Sequence, residues 1–194
     1  MISPVYRLVS PRRFEVAYQE YSLVSDKVIV RPTYLSICAA DQRYYTGSRD
    51  KEILEKKLPM ALIHEGIGKI VFDPNKEFPV GQLVAMVPNT PVEKDSVIAE
   101  NYLPSSKFRS SGYDGFMQDY VFLNRDRIVP LFEGIKPHVA AFMELVSVSV
   151  HAISRYNQKA HSRREIVGVW GDGNLGFITS LLLKKKFVDS KFIV

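Results

Sequence analysis

A glycine-rich segment near residue 171 constrains the fold more than any other feature of this 194-residue chain. It reads Gly171-Asp172-Gly173-Asn174-Leu175-Gly176, and apolar runs precede it at residues 166–170 and follow it at residues 177–183. In a G-x-G-x-x-G pattern the first glycine permits a tight turn, the second admits a pyrophosphate, and the third lets helix and strand pack closely. With a further strand at residues 191–194, the pattern predicts a β-α-β unit whose helix N-terminus binds a dinucleotide.

The N-terminal part of the chain has a different pattern. Short runs rich in valine and isoleucine, separated by proline and glycine, predict strands at residues 27–31, 68–72, 82–87, 117–122 and 127–129. A helix is predicted over residues 50–58, because Asp50 stands near its start and Pro59 lies past its end. Residues 88–111 are polar and lack a clear period, which indicates a long excursion. The predicted fold class is therefore α/β with a β-rich N-terminal part, a partly open barrel or sandwich.

The periodicity changes near Pro137. Apolar residues then recur at three- and four-residue steps, which predicts a helix opened by that proline; they are Val139, Phe142, Met143, Val146, Val150 and Ile153. We therefore expect one domain over residues 1–136, followed by a connecting helix and nucleotide-binding segment over residues 137–194. A complete dinucleotide fold has about six strands. Since only two are predicted here, we expect the nucleotide-binding domain to be incomplete in this chain.

Composition excludes several classes of protein. With 46% hydrophobic and 24% charged residues, the chain is ordinary globular material. No apolar run reaches membrane-spanning length and no signal peptide is recognisable, so we expect a cytoplasmic protein without a membrane partner. The net charge of +5 comes from scattered basic residues, and the Lys184-Lys185-Lys186 cluster falls at a predicted helix end. Nucleic-acid binding is therefore not expected.

Three separated positions carry the side chains of a possible metal site. Cys38 follows a predicted strand, His64 and Glu65 stand beside Gly66, and Glu144 lies within an apolar helical stretch. Each also has a structural interpretation. A lone cysteine is often a small buried hydrophobe, a lone histidine is usually structural, and Glu144 could be an exposed helix residue. As the only cysteine, Cys38 excludes an internal disulfide and a four-cysteine zinc site.

The order of these motifs resembles the zinc-dependent medium-chain dehydrogenase/reductase family. The matching segments are Cys-Ala-Ala-Asp at 38–41, His-Glu-Gly-Ile-Gly at 64–68, and Gly-Phe-Met-Gln-Asp-Tyr-Val at 115–121, followed by the helical glutamate and the glycine fingerprint. Within that family the chain is most similar to the ribulose-5-phosphate reductases of teichoic acid synthesis. The closest point is Cys-Ala-Ala-Asp-Gln-Arg-Tyr-Tyr at residues 38–45.

This resemblance implies a GroES-like catalytic domain, a partly open β-barrel, followed by the first β-α-β of a Rossmann fold. It implies Cys38, His64 and Glu144 as zinc ligands, with Glu65 as an alternative or transient ligand. Cys38, His64 and Glu65 are then the catalytic residues. The implied cofactors are Zn²⁺ and NADPH, although the residue that would separate NADP from NAD is expected after the second strand. The implied partners of the full-length protein are a small phosphorylated sugar or polyol, a second copy of the chain, and a cytidylyltransferase.

The chain also departs from the family pattern. Many members place a serine or threonine relay two residues after the cysteine, where this chain has Ala40. The proton must therefore travel through water, Tyr44, Asp41 or another group. Arg43 could bind a substrate phosphate, or could be a solvated arginine. The four-cysteine zinc lobe is excluded, so residues 88–111 are expected to replace it without metal.

The expected function is reduction of ribulose 5-phosphate to ribitol 5-phosphate, in which zinc polarises the carbonyl and a reduced nicotinamide delivers hydride. A second hypothesis is another zinc polyol or alcohol dehydrogenase. A third is a truncated, non-catalytic remnant that acts as a binding or assembly module, and we expect this fragment alone to be inactive.

Overall fold

A computed structural model describes residues 1–24 and 26–193 of the chain. The contacts between residues divide the chain into two compact units, Met1–Ala141 and Phe142–Val194. Among the described residues, no helix is both long enough and apolar enough to cross a membrane.

The centre of the first unit is a five-stranded antiparallel sheet in the order β10-β6-β5-β3-β9. Its strands are β3 Val28–Ser36, β5 Glu65–Phe72, β6 Leu83–Met86, β9 Val121–Leu123 and β10 Ile128–Pro130. All five strands predicted from the sequence are present, although β9 begins later than expected. Phe116 is the largest fully buried side chain and packs with strand residues such as Val30 and Ile70. The predicted β-rich N-terminal part is therefore confirmed.

A second, three-stranded sheet in the order β2-β1-β4 was not predicted. It consists of β1 Ile2–Ser10, β2 Arg13–Glu20 and β4 Met60–Ala61. β1 and β2 form a hairpin whose turn contains Arg12 with φ +65°. The hairpin could not be predicted for two reasons. Its turn has no glycine or asparagine, the residues that usually signal positive φ in a hairpin, and β2 is exposed over most of its length.

Two helices connect the sheets of the first unit. Helix α1 spans Ala39–Thr46 and ends at Gly47, which has φ +76°. Helix α2 spans Lys51–Lys57, as predicted, with Asp50 immediately before it. The predicted excursion contains a short antiparallel ribbon, β7 Asn89–Thr90 paired with β8 Lys107–Phe108.

The helix predicted from Pro137 is interrupted, which corrects the expectation of one continuous element. Helix α3 covers Pro137–Ala140, and helix α4 begins at Met143 and runs to Lys159. Between them Phe142 has φ −88° and ψ 9°, outside the helical region. The predicted apolar stripe is also only partly buried, because Ile153 is buried whereas Val139 and Val150 are exposed.

The second unit contains the predicted β-α-β arrangement. Its elements are β11 Ile166–Gly168, α5 Asn174–Lys186 and β12 Lys191–Ile193, and the two strands pair in parallel. Ile153 of α4, Val167 of β11 and Leu183 of α5 form its buried core. Lys184, Lys185 and Lys186 occupy the last turn of α5, as predicted. Val194, the last residue of the predicted second strand, lies outside the described residues.

Candidate metal centre

Three of the predicted site residues converge in the first unit. Cys38 caps the N-terminus of α1, His64 precedes β5, and Glu65 is the first residue of β5. The Sγ atom of Cys38 lies 3.6 Å from Nε2 of His64. One ligand atom from each of the three side chains lies within 4.8 Å of the others. Thiolate, imidazole and carboxylate are the donors that zinc sites in proteins use.

Strand pairing explains why these residues meet. β3 and β5 are antiparallel, with Ser36 opposite Glu65, so the end of β3 lies beside the start of β5. Gly66 suits this approach, because a Cβ there would stand 3.1 Å from the Tyr34 carbonyl oxygen as well as close to the Leu35 side chain. Ile63 has φ +71°, which is rare for a β-branched residue. This conformation directs the chain into His64, and such strain is tolerated where the surroundings fix it.

A second segment holds the residues before His64 in place. The amide of Gly115 donates to the carbonyl of Ala61 at 2.7 Å, and the amide of Phe116 donates to that of Ile63 at 2.6 Å. A Cβ at position 115 would lie 2.3 Å from the Ile63 carbonyl oxygen, so only glycine fits. The Gly115 motif therefore contributes by backbone pairing that fixes the approach to His64.

Asp41 links the two segments that carry the ligand residues. Its side chain is buried, and its Oδ2 accepts hydrogen bonds from the Cys38 amide at 3.1 Å and the Cys38 thiol at 3.0 Å. Its Oδ1 accepts from the Ile63 amide at 2.9 Å and from the Ser110 hydroxyl at 3.2 Å. Sequence reasoning considered Asp41 only as a proton route. The Cys-x-x-Asp spacing of a helix N-terminus was the available signal for its structural role.

The electrostatics of the site favour neutral side chains in the absence of a cation. Burial, with the Asp41 hydrogen bond second, raises the pKa of the Cys38 thiol to about 12. Burial lowers the pKa of His64, and the charge of Asp41 opposes that shift only in part. Burial also raises the pKa of Glu65, against a hydrogen bond with Ser36 that lowers it. These are the shifts expected where charged forms lose their water.

A divalent cation fits this set of donors. Oε2 of Glu65 and Nδ1 of His64 are buried and have no hydrogen-bond partner among residues 1–24 and 26–193. A buried polar atom without a partner is costly, and a cation beside Glu65 would remove that cost for its carboxylate. Cation binding would also displace the thiol proton of Cys38, since only the thiolate is a strong ligand.

The ribbon of the excursion forms one side of the site. The ring of Phe108 in β8 meets the ring of His64 edge-on, with centroids 5.1 Å apart and an interplanar angle of 63°. Two residues later, Ser110 is buried and bonds to Asp41. Sequence reasoning missed both residues, because nothing local in residues 88–111 marks a contact with a histidine many residues earlier.

The remaining predicted residues of this region are distributed as follows. Glu144 is the second residue of α4, half-buried, in the second unit, and its role as a metal ligand stays a prediction. Ala40 lies in the first turn of α1. Tyr44 is buried with the Arg49 guanidinium 4.4 Å from its ring centroid, whereas Arg43 is exposed.

The glycine fingerprint adopts the conformation that its spacing predicts. Gly171 has φ +135°, a conformation that favours glycine, and Gly173 caps α5. A Cβ on Gly176 would lie 2.0 Å from the Gly171 carbonyl oxygen, so the third glycine is needed for close packing. Asp172 lies in the turn, and Asn174 and Leu175 begin α5; all three are exposed. Binding of a dinucleotide by these residues stays a prediction.

Comparison with known families identifies the first unit. The family model for the alcohol dehydrogenase GroES-like domain matches residues 24–133, more than half of the chain. This confirms the predicted GroES-like barrel. The crystal structure of L-idonate 5-dehydrogenase from Escherichia coli has the same fold, with a TM-score of 0.78 at 23% identity, over 98% of this chain and 56% of that one.

Several relatives are similar to this chain over all or nearly all of its length. Ribulose-5-phosphate reductase of Bacillus spizizenii is 67% identical over 194 residues, which are 100% of this chain and 57% of that protein. The Streptococcus pneumoniae protein of the same name is 43% identical, over 100% of this chain and 56% of its own length. The crystal structure of Staphylococcus aureus TarJ in complex with NADPH matches with a TM-score of 0.80 and 50% identity, over 99% of this chain and 53% of that one. The chain thus spans somewhat more than half the length of these relatives.

Proposed function

This chain belongs to the alcohol dehydrogenase GroES-like domain family, and from that premise we propose that it supplies the zinc-binding part of a ribulose-5-phosphate reductase. The proposed reaction is the reduction of ribulose 5-phosphate to ribitol 5-phosphate with NADPH. The observation that carries the proposal is the convergence of Cys38, His64 and Glu65, in a chain 67% identical to a protein named for that activity.

We assign the metal-holding role to Cys38, His64 and Glu65, with Glu144 as a further ligand. Zinc held there would supply a Lewis acid that polarises the ketose carbonyl. Asp41 would hold Cys38 in place through the hydrogen bond from its backbone amide, which does not depend on the thiol proton. Phe108 packs against the ring of His64 and would limit its movement.

Reduction of a ketone adds a hydride to the carbonyl carbon and a proton to its oxygen. In the proposal, residues Gly171–Gly176 at the N-terminus of α5 would hold the pyrophosphate of NADPH, which would supply the hydride. Its support is the NADPH in the TarJ structure. Ala40 has no hydroxyl to hold the proton. Tyr44 is buried and Asp41 already accepts hydrogen bonds from Cys38, Ile63 and Ser110, so a water molecule is the proposed proton donor.

The wider assignments are part of the same proposal. Residues 1–136 form the catalytic domain, and residues 137–194 form the connecting helix and the start of the nucleotide-binding domain. The protein acts in the cytoplasm on a small phosphorylated sugar, as a homodimer, with a cytidylyltransferase partner. Support for the substrate class comes from the relatives' names alone.

A binding and turnover experiment tests the proposal. The purified chain is loaded with zinc, and NADPH binding and NADPH oxidation are measured with ribulose 5-phosphate and with unphosphorylated ribulose. We expect the chain to bind zinc and NADPH. Because this fragment alone is expected to be inactive, the dependence of NADPH oxidation on the phosphate is measured in the same chain extended to the relatives' full length. Equal rates with both sugars would instead favour a different polyol dehydrogenase. Zinc binding without NADPH binding would contradict the reductase assignment for this chain and favour a binding module.

A further inference from the structure

Ser110 lies at the point where the excursion reaches the candidate metal centre. It is only 4% exposed, and its hydroxyl donates to Oδ1 of Asp41 at 3.2 Å. Within residues 1–24 and 26–193, its hydroxyl bonds to neither Cys38 nor His64 but to the carboxylate that joins Cys38 to Ile63.

The backbone around Ser110 is fixed from several directions. The amide of Ser110 donates to the Tyr113 carbonyl at 3.0 Å, and the amide of Arg109 donates to the Pro88 carbonyl at 3.1 Å. Lys57 of α2 donates to the Ser111 carbonyl at 2.6 Å. Ser110 itself has φ +59°, in the left-handed region that favours glycine. A buried serine is thus held in a conformation that costs free energy, and its hydroxyl points at Asp41.

We infer that Ser110 is a positioning residue for the metal centre, acting through Asp41. The inference rests on the proposed function, because it requires that Cys38 and His64 bind a metal.

The hydrogen bonds of Asp41 explain how Ser110 acts on the metal ligands. Oδ2 of Asp41 accepts from the Cys38 amide at 3.1 Å, so the orientation of this carboxylate fixes the segment that carries the first ligand. Donors on Oδ1 stabilise the carboxylate and fix its orientation. Ser110 and the Ile63 amide are the two donors that the structure gives to that oxygen.

Two substitutions separate positioning from general stability. Ser110→Ala and Ser110→Gly both remove the hydroxyl, but glycine adopts positive φ without the cost that alanine retains. If Ser110 only supports the fold, metal affinity should follow stability, and the glycine variant should bind metal better than the alanine variant. If Ser110 positions Asp41, both variants should lose affinity by the same factor. Ser111→Ala is the matched control, because Ser111 is the adjacent serine and is exposed.

The test is a titration of the metal-free chain with Co²⁺, monitored through the absorption of the cobalt–thiolate bond. Unfolding midpoints are measured in parallel. We expect about tenfold weaker Co²⁺ binding and a shifted thiolate band in both Ser110 variants, in the range known for residues that orient metal ligands. Ser111→Ala should match the wild type. If the wild-type chain binds Co²⁺ and Ser110→Gly has the same affinity and spectrum, the inference about Ser110 is overturned, whereas the proposed metal centre stands. A wild-type chain that forms no cobalt–thiolate bond would overturn the proposed metal centre and the inference with it.

Discussion

One oxygen of the Asp41 carboxylate accepts a hydrogen bond from the backbone amide of Ile63 at 2.9 Å. The other oxygen accepts from the amide and thiol of Cys38. A single buried side chain therefore sets the spacing between the cysteine at the start of α1 and the histidine that follows Ile63. The candidate centre depends on this link as much as on its donors, because ligands on separate segments must be held at a fixed distance.

Asp41→Asn should weaken zinc binding. The asparagine side chain carries no charge and turns an NH₂ group toward one set of N–H donors, so a bond to Cys38 or Ile63 is lost. We expect zinc affinity to fall by about 10- to 100-fold, measured by competition with a chromogenic chelator. Asp50→Asn is the control, since Asp50, like Asp41, stands at the N-terminal end of a helix but is exposed. Equal affinities in the two variants would contradict the role of Asp41.

Asp73 should make the stability of the first unit depend on acid pH. Burial alone would raise its pKa, but the amides of Asn75, Glu77 and Phe78 and the charge of Arg125 lower it below the ordinary value of 3.8. A carboxyl with a depressed folded-state pKa contributes stability above its unfolded pKa and loses that contribution as pH falls through the folded value.

The measurement is the free energy of unfolding by urea between neutral pH and the lowest pH at which the chain folds. Asp73→Asn should lower it by about 2 kcal/mol at neutral pH and flatten its decline below pH 3.8. Asp95 accepts similar amide bonds on an exposed turn, so Asp95→Asn should have a smaller effect. If the free energy of unfolding of Asp73→Asn fell with acid as steeply as that of the wild type, other groups would be responsible for the decline.

Two glycines of the fingerprint should respond differently to alanine. In Gly176→Ala the new Cβ would meet the Gly171 carbonyl at 2.0 Å, so α5 must move and the second unit should be destabilised. In Gly173→Ala the Cβ would meet nothing within 4 Å, and φ is −84°, so the fold should be retained. Because position 173 is where a pyrophosphate is expected to approach, Gly173→Ala should still weaken NADPH binding. Thermal unfolding and NADPH fluorescence measure the two effects, and unimpaired NADPH binding in Gly173→Ala would argue against the cofactor site.

The features predicted correctly are those encoded by neighbours in the sequence. The strand and helix on either side of Gly171 follow from contiguous apolar runs, and α2 follows from Asp50 and Pro59 at its ends. The β1–β2 hairpin was missed because β2 is mostly exposed and its turn at Arg12 lacks glycine. The break at Phe142 was missed because apolar periodicity does not change across it.

The residues of the candidate site can likewise be divided into those marked by a local motif and those placed by long-range contacts. Cys38, His64 and Glu65 could be proposed because each stands in a short recognisable motif. The contacts from Ser110 to Asp41 and from Phe108 to His64 join residues far apart in the chain, in a segment without periodicity. Such contacts arise from tertiary packing, which local sequence patterns do not encode.

Zinc stoichiometry tests the central claim most directly. The wild-type chain and Cys38→Ser are purified side by side, dialysed against metal-free buffer after zinc loading, and analysed for bound zinc per chain. Because Cys38 is the only cysteine, the variant removes every thiolate ligand from the chain. We predict about one zinc per wild-type chain and a large loss of zinc in Cys38→Ser. Equal zinc content in the two proteins would contradict a metal centre built on Cys38, His64 and Glu65.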